Sequence, residues 1–209
     1  MKTLEACRLY TFVDAAYLNG RAPETIAQQL CDGGSDLIQL RAKGVPQDAV
    51  RRMAEVIVSV TQRAGVCLVI NDYPEIARNV GAEFCHLGQE DLGKVNGKRK
   101  ITDAPLKMGI STHSPRDAQI ARQAGADYLA VGPVYATGTK PGRKPVTLEY
   151  VRWAVQNVSV PWFAIGGINL ANVGEVLAAG AKRICVVSAI LNASDVTREC
   201  RKFREQLTS

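Results

Sequence analysis

Short apolar runs recur along this chain and alternate with segments of helical periodicity. Eight runs read as strands: CRLYTFVD (7–14), GGSDLIQL (33–40), CLVIND (67–72), GAEFCHLG (81–88), LKMGIST (106–112), GADYLAVG (125–132), PWFAIGG (161–167) and GAKRICVV (180–187). GGSDLIQL, GAEFCHLG, GADYLAVG and GAKRICVV are variants of one pattern: small residues, a polar pair, then an apolar stretch. Their starts lie 48, 44 and 55 residues apart. That is the length of about two βα units of ~24 residues each. A Gly ahead of each strand fits the cap that closes the preceding helix.

The intervening segments carry helix signals. APETIAQQL has Pro near its first turn, and SPRDAQIARQAG opens with Ser at an N-cap position. TLEYVRWAVQN and NLANVGEVLAAG have apolar faces of helical period, and DVTRECRKFREQL reads as a final helix. Eight strands, each followed by a helix or loop, predict an α/β fold: a parallel (β/α)8 TIM barrel, one domain over residues 1–209. A doubly wound open sheet is the alternative, but no G-x-G-x-x-G follows the first strand. After the fourth strand, DLGKVNGKRKITDAP is polar and Gly-rich. A short or missing helix is expected there, and the packing of residues 93–105 stays open.

Composition narrows the class. The chain has 209 residues and is 46% hydrophobic, enough for one sizeable core. No apolar run approaches the roughly 18 residues that span a membrane, and MKTLEACRLYTFVD lacks a signal-peptide core. Six cysteines (Cys7, Cys31, Cys67, Cys85, Cys185, Cys200) include no CxxC pair. Reduced, buried thiols in a cytoplasmic protein are the expectation. Net charge is +6, with basic clusters in KVNGKRK, TKPGRK and RECRKFRE. These read as solvated loops and a solvated helix face. A nucleic-acid surface needs a denser stripe and stacking aromatics, which make up only 6% of this chain. No nucleic-acid or membrane partner is expected, while a mild positive field suits small anionic substrates. The subunit number of a homo-oligomer is not legible.

Chemistry in such barrels sits at the C-terminal ends of the strands. Gln39, Arg41 and Lys43 end the second strand and alternate with Leu40 and Ala42, so they share one face. Cations there are costly to bury without a partner. Either that face is open to water or an anion sits on it. Asn71 and Asp72 end the third strand, Asp91 follows the fourth, Ser111, Thr112 and His113 end the fifth, and Thr137, Thr139 and Lys140 follow the sixth. Gly166–Gly167 and Val187–Ser188 end the last two.

Asp72 and Asp91 come from neighbouring strands, near Arg41 and Lys140. They fit Mg²⁺, which takes one or two carboxylates plus water and phosphate oxygens. The plainer alternative makes Asp72 a cap for the helix near Pro74, and Asp91 a surface acid; Glu90 reads as solvent-facing. Gly166–Gly167 with Val187–Ser188 match a barrel's usual phosphate site, the alternative being a tight turn. The rim thus offers places for two anions, a metal-bound group and a phosphate. A diphosphate leaving group beside a phosphorylated acceptor explains both. His86 reads as a packed histidine with its nitrogens bonded, and His113 as an orienter of its loop. Trp153 and Trp162 read as packing residues; Tyr73 and Tyr135 read as packing too, the alternative being that they line the pocket.

QLRAK, INDY, HLGQED, GISTHS, GPVYATGTK, AIGGI and VVSAI, in this order over nearly the whole chain, closely resemble the thiamine phosphate synthase family. The resemblance implies a transferase of thiamine biosynthesis. It joins 4-amino-2-methyl-5-hydroxymethylpyrimidine diphosphate to a thiazole phosphate, carboxylated or not, by a dissociative route that releases diphosphate. It implies that Gln39, Arg41, Lys43, Asn71 and Lys140 bind the pyrimidine diphosphate and that Ser111 contacts the pyrimidine. Lys140 and Ser111 would be the catalytic residues. Asp72 and Asp91 would hold Mg²⁺, and Thr137, Gly138, Thr139, Gly167, Val187 and Ser188 the thiazole phosphate. Tyr73 stands where the family commonly has Arg, which implies a weaker diphosphate contact or a nearby cation in its place. A thiazole tautomerase-like paralogue, a non-catalytic sensor of thiamine precursors and a phosphate-binding isomerase are the rivals. The joint presence of cations and two carboxylates speaks against each.

Overall fold

A computed structural model describes residues 2–92, 106–138, 142 and 144–207. Eight parallel strands close into a barrel in sequence order: β1 (Leu9–Asp14), β2 (Leu37–Arg41), β3 (Cys67–Asn71), β4 (Phe84–Leu87), β5 (Lys107–Thr112), β6 (Tyr128–Val131), β7 (Trp162–Ile165) and β8 (Ile184–Cys185). Closure is by β1 on β8, with Tyr10 opposite Cys185. The expected TIM barrel is thus found. Seven strands fall within the apolar runs of the sequence, and β2 runs one residue past its run, to Arg41. The reason is physical: strands buried inside by the barrel core and outside by helices need apolar residues on both faces.

The described helices are α1 (Pro23–Asp32), α2 (Gln47–Ala64), α3 (Pro74–Val80), α4 (Pro115–Gln123), α5 (Thr147–Asn157), α6 (Val173–Ala178), α7 (Ser188–Leu191) and α8 (Val196–Gln206). In α2 the buried positions Val50, Ala54, Ile57 and Thr61 recur at helical spacing and face the barrel. Ser114 caps α4, its hydroxyl accepting the Asp117 N–H at 3.1 Å. Gly81, from one of the repeated segments, closes α3 at φ +73°. After β4 the described residues form a 3-10 turn, Gln89–Asp91. Residues 93–105, where a short or missing helix was expected, lie outside the described residues.

One helix starts later than its pattern predicts. NLANVGEVLAAG reads as helical from Asn169, but α6 begins at Val173. Asn169 Oδ1 accepts the Ala171 N–H, and Asn172 Oδ1 accepts the Asn169 N–H. Asn side chains compete with the helical backbone in this way. Asn172 Nδ2 also donates to Gly167 O at 2.9 Å, which ties the turn to the barrel mouth.

The opposite end of the barrel is closed by charge. Buried Asp36 accepts from Lys2 Nζ (2.6 Å), Arg204 Nη1 (2.6 Å) and the Arg8 and Leu9 amides. Burial pushes its carboxyl up, but these donors outweigh burial and hold it below the usual carboxylate range. None of the six cysteines forms a disulfide, and five of them are buried. No described helix is long and apolar enough to cross a membrane.

Candidate active site

The floor of the barrel mouth is an aromatic layer. Tyr128 packs edge-on against Tyr10, Phe84 and Phe163, with centroids 5.7–5.9 Å apart. Gly109 faces Tyr128 across β5 and β6, where any Cβ would overlap the tyrosine ring. Buried hydroxyls need partners, and here they form a chain. Gln39 Nε2 donates to Tyr10 Oη (2.5 Å), Tyr10 Oη meets Tyr128 Oη (2.9 Å), and Tyr128 Oη meets His86 Nδ1 (3.1 Å). His86 Nε2 meets Ser111 Oγ at 2.9 Å. Five side chains from five strands are thereby linked across the interior. Burial pushes both tyrosines well above their ordinary pKa, so they stay neutral hydroxyls.

Above this floor lies a pocket of about 800 Å³, its open mouth included. Gln39, Arg41, Asn71, Ser111, Thr137, Gly167, Val187 and Ser188 line it, as the sequence led one to expect. Tyr10, Phe12, His86, His113 and Cys185 line it as well. Their signal was present: Tyr10 and Phe12 alternate along β1, and His86 follows Phe84 by two. Each therefore points inward. His86 has both ring nitrogens bonded, as read. His113 Nδ1 lies 2.5 Å from Gly132 O and fixes its loop against β6. Glu90 is exposed.

Among the described residues, the cations Arg41 and Lys43 are already paired. Arg41 Nη1 donates to Asp14 Oδ2 at 2.7 Å. Lys43 lies beyond β2, contacts Asp72 Oδ2 at 2.5 Å and does not line the pocket. Gln39 and Arg41 share the inner face as expected; Lys43 instead serves the β3 end. Asp72 adopts φ +66°, which Asp tolerates. It is not a helix cap: α3 starts after Tyr73 without a side-chain cap bond. The Asp72 amide donates to His86 O at 2.9 Å, joining the end of β3 to β4, which the Asp91 turn follows directly.

Among the described residues no group of three or more His, Cys, Asp or Glu side chains gathers as a metal site. Two carboxylates at neighbouring strand ends still suit Mg²⁺, which draws its other ligands from water and phosphate. Asp72 is held by the Lys43 ammonium, and neither Asp72 nor Asp91 lines the pocket.

On the far side, Gly166 and Gly167 turn the chain out of β7 at φ +103° and +65°. A Cβ on Gly167 would lie 2.6 Å from Ala136 O and 2.7 Å from Tyr135 Cβ, so only glycine fits. Val134 and Tyr135 amides donate to Ile165 O (2.8 Å) and Gly166 O (3.0 Å) and hold the β6 loop against this turn. Gly138 is described but does not line the pocket. Thr139 and Lys140 lie outside the described residues.

The family model described as thiamine monophosphate synthase matches residues 9–190. A thiamine-phosphate synthase of Thermus thermophilus is 46% identical over 176 residues, 84% of each chain. One of Acidothermus cellulolyticus is 40% identical over 99% of this chain and 98% of that relative. The structure of thiamine phosphate pyrophosphorylase from Pyrococcus furiosus superposes with TM-score 0.85 at 28% identity, covering 97% of this chain and 96% of that one. The chain belongs to the thiamine monophosphate synthase family, and it is a transferase.

Proposed function

We propose that the protein couples 4-amino-2-methyl-5-hydroxymethylpyrimidine diphosphate to a thiazole phosphate, with thiamine phosphate and diphosphate as products. The observation that carries this is one cavity shared by two different anion-seeking walls. Arg41 and Asn71 stand on one side, and the Gly166–Gly167 turn with Val187 and Ser188 stands on the other. The neutral hydroxyl chain between them suits an uncharged heterocycle better than an ion.

In this reading the pyrimidine rests on Gln39 and Ser111, whose amide and hydroxyl match ring nitrogens and an amino group. Its C–O bond to diphosphate breaks, and the electron pair leaves on the diphosphate oxygen. The thiazole nitrogen then gives its lone pair to the methylene carbon; a carboxylated thiazole also releases CO₂. Arg41 and Asn71 stabilise the charge that builds on the leaving group, joined by Lys140 on the strength of the sequence motif. Asp72 and Asp91 would hold Mg²⁺, which when bound supplies positive charge beside the diphosphate oxygens. The Gly167–Ser188 backbone amides fix the thiazole phosphate and so aim its ring.

The test is to mix both substrates with and without Mg²⁺ and follow thiamine phosphate and diphosphate together. Equimolar appearance of both, only with Mg²⁺, supports the reading. Thiazole isomerisation without diphosphate release would overturn it.

A further inference from the structure

We propose that Asp14 is the positioning residue for Arg41 in this coupling reaction, an inference that rests on the reading above. Asp14 ends β1 and stands opposite Arg41 in the β1–β2 register. Its side chain is only 1% exposed and that of Arg41 13%, so the pair is largely withdrawn from water. Both carboxylate oxygens are committed. Oδ1 accepts the Ala16 N–H at 3.0 Å and caps the turn Ala15–Tyr17, and Oδ2 accepts from Arg41 at 2.7 Å. An acid fixed by its own backbone is a rigid anchor. A guanidinium carries five N–H donors in a planar fork. With one held by Asp14, the plane of the others is set toward the pocket that Arg41 lines.

The consequence is kinetic. A pre-set donor stabilises charge as it develops on the leaving group, without reorganising at that moment. Ground-state affinity gains less, because the ion pair already satisfies part of the guanidinium. Losing the anchor should therefore fall on kcat more than on KM.

The experiment is a double-mutant cycle in the whole enzyme, with Asp14→Asn and Arg41→Met alone and combined. Asn keeps an oxygen for the Ala16 amide but removes the charge. Asp14→Asn is expected to lower kcat by about 10–100-fold while KM for the pyrimidine diphosphate moves less than about threefold. On the Arg41→Met background it should change kcat by less than about twofold, since the acid acts through that arginine. Asp14→Ser, which also caps, should behave alike. An unchanged kcat for Asp14→Asn, or an equal loss on both backgrounds, overturns the proposal. So does failure of both Asn and Ser variants to fold, which would make Asp14 a scaffold residue. A wild type that does not couple the substrates refutes the underlying reading and the proposal with it; an active wild type indifferent to Asp14 refutes the proposal alone.

Discussion

Replacing Tyr128 by Phe tests the hydroxyl chain beneath the pocket. The change removes one oxygen and keeps the ring, so the edge contacts to Tyr10, Phe84 and Phe163 persist. What is lost is the bond to Tyr10 Oη at 2.9 Å and the bond to His86 Nδ1 at 3.1 Å. Each buried neutral hydrogen bond contributes about 0.5–1.5 kcal/mol net, so the loss should be about 1–3 kcal/mol. For a chain of this size, 1 kcal/mol moves Tm by about 2–4 °C, so a fall of about 2–12 °C is expected. Thermal and urea unfolding of wild type, Tyr128→Phe, Tyr10→Phe and the double variant measure the shift and the free energies. The shared bond is lost once, not twice, so the double variant should be about 1 kcal/mol more stable than the sum of the singles predicts. A shift below about 1 °C in the Tyr128 variant, or strict additivity, would show that the chain of bonds does not stabilise the barrel.

Three further outcomes follow from particular residues. Asp36 is held below the usual carboxylate range, so its stabilisation is complete above about pH 4, the unfolded value, and fades as pH falls through the lower folded value; Asp36→Asn should cost about 2–4 kcal/mol at pH 7 and flatten that acid limb in urea titrations. Gly167→Ala puts a side chain at φ +65° against Ala136 O, and KM for the thiazole phosphate should rise about 5–30-fold, from a penalty of about 1–2 kcal/mol, while KM for the pyrimidine diphosphate changes little; equal effects on both would misplace the phosphate wall. Asp72→Ala should depress coupling and abolish its Mg²⁺ dependence, and an unaltered Mg²⁺ titration would remove the metal assignment.

The barrel was legible because its strands are apolar on both faces and so stand out as runs. The mouth was legible because polar residues at the ends of such runs have no packing role. Eight of the expected binding residues line the pocket for that reason. Lys43 was misjudged as a neighbour of Gln39 and Arg41, since alternation stops where the strand stops, at Arg41. Its partner, Asp72, follows another strand, a relation that spacing cannot reveal. Asp14 ends the first strand as Arg41 ends the second, yet an Asp before a turn looks like an ordinary cap. It is one, and it is an ion-pair partner as well. Tyr10 and Tyr128 lie inside apolar runs, CRLYTFVD and GADYLAVG, whose pattern carries no sign of paired hydroxyls. Only the closed topology brings hydroxyls 118 residues apart in sequence to 2.9 Å.

The account stands on one pocket that holds two anions at once. A crystal structure of the enzyme with thiamine phosphate, diphosphate and Mg²⁺ tests it most directly. The thiamine phosphate group should sit on the Gly167 and Ser188 amides, with diphosphate across the cavity at Arg41 and Asn71. Both anions crowded at one wall, or the phosphate outside the glycine turn, would contradict it.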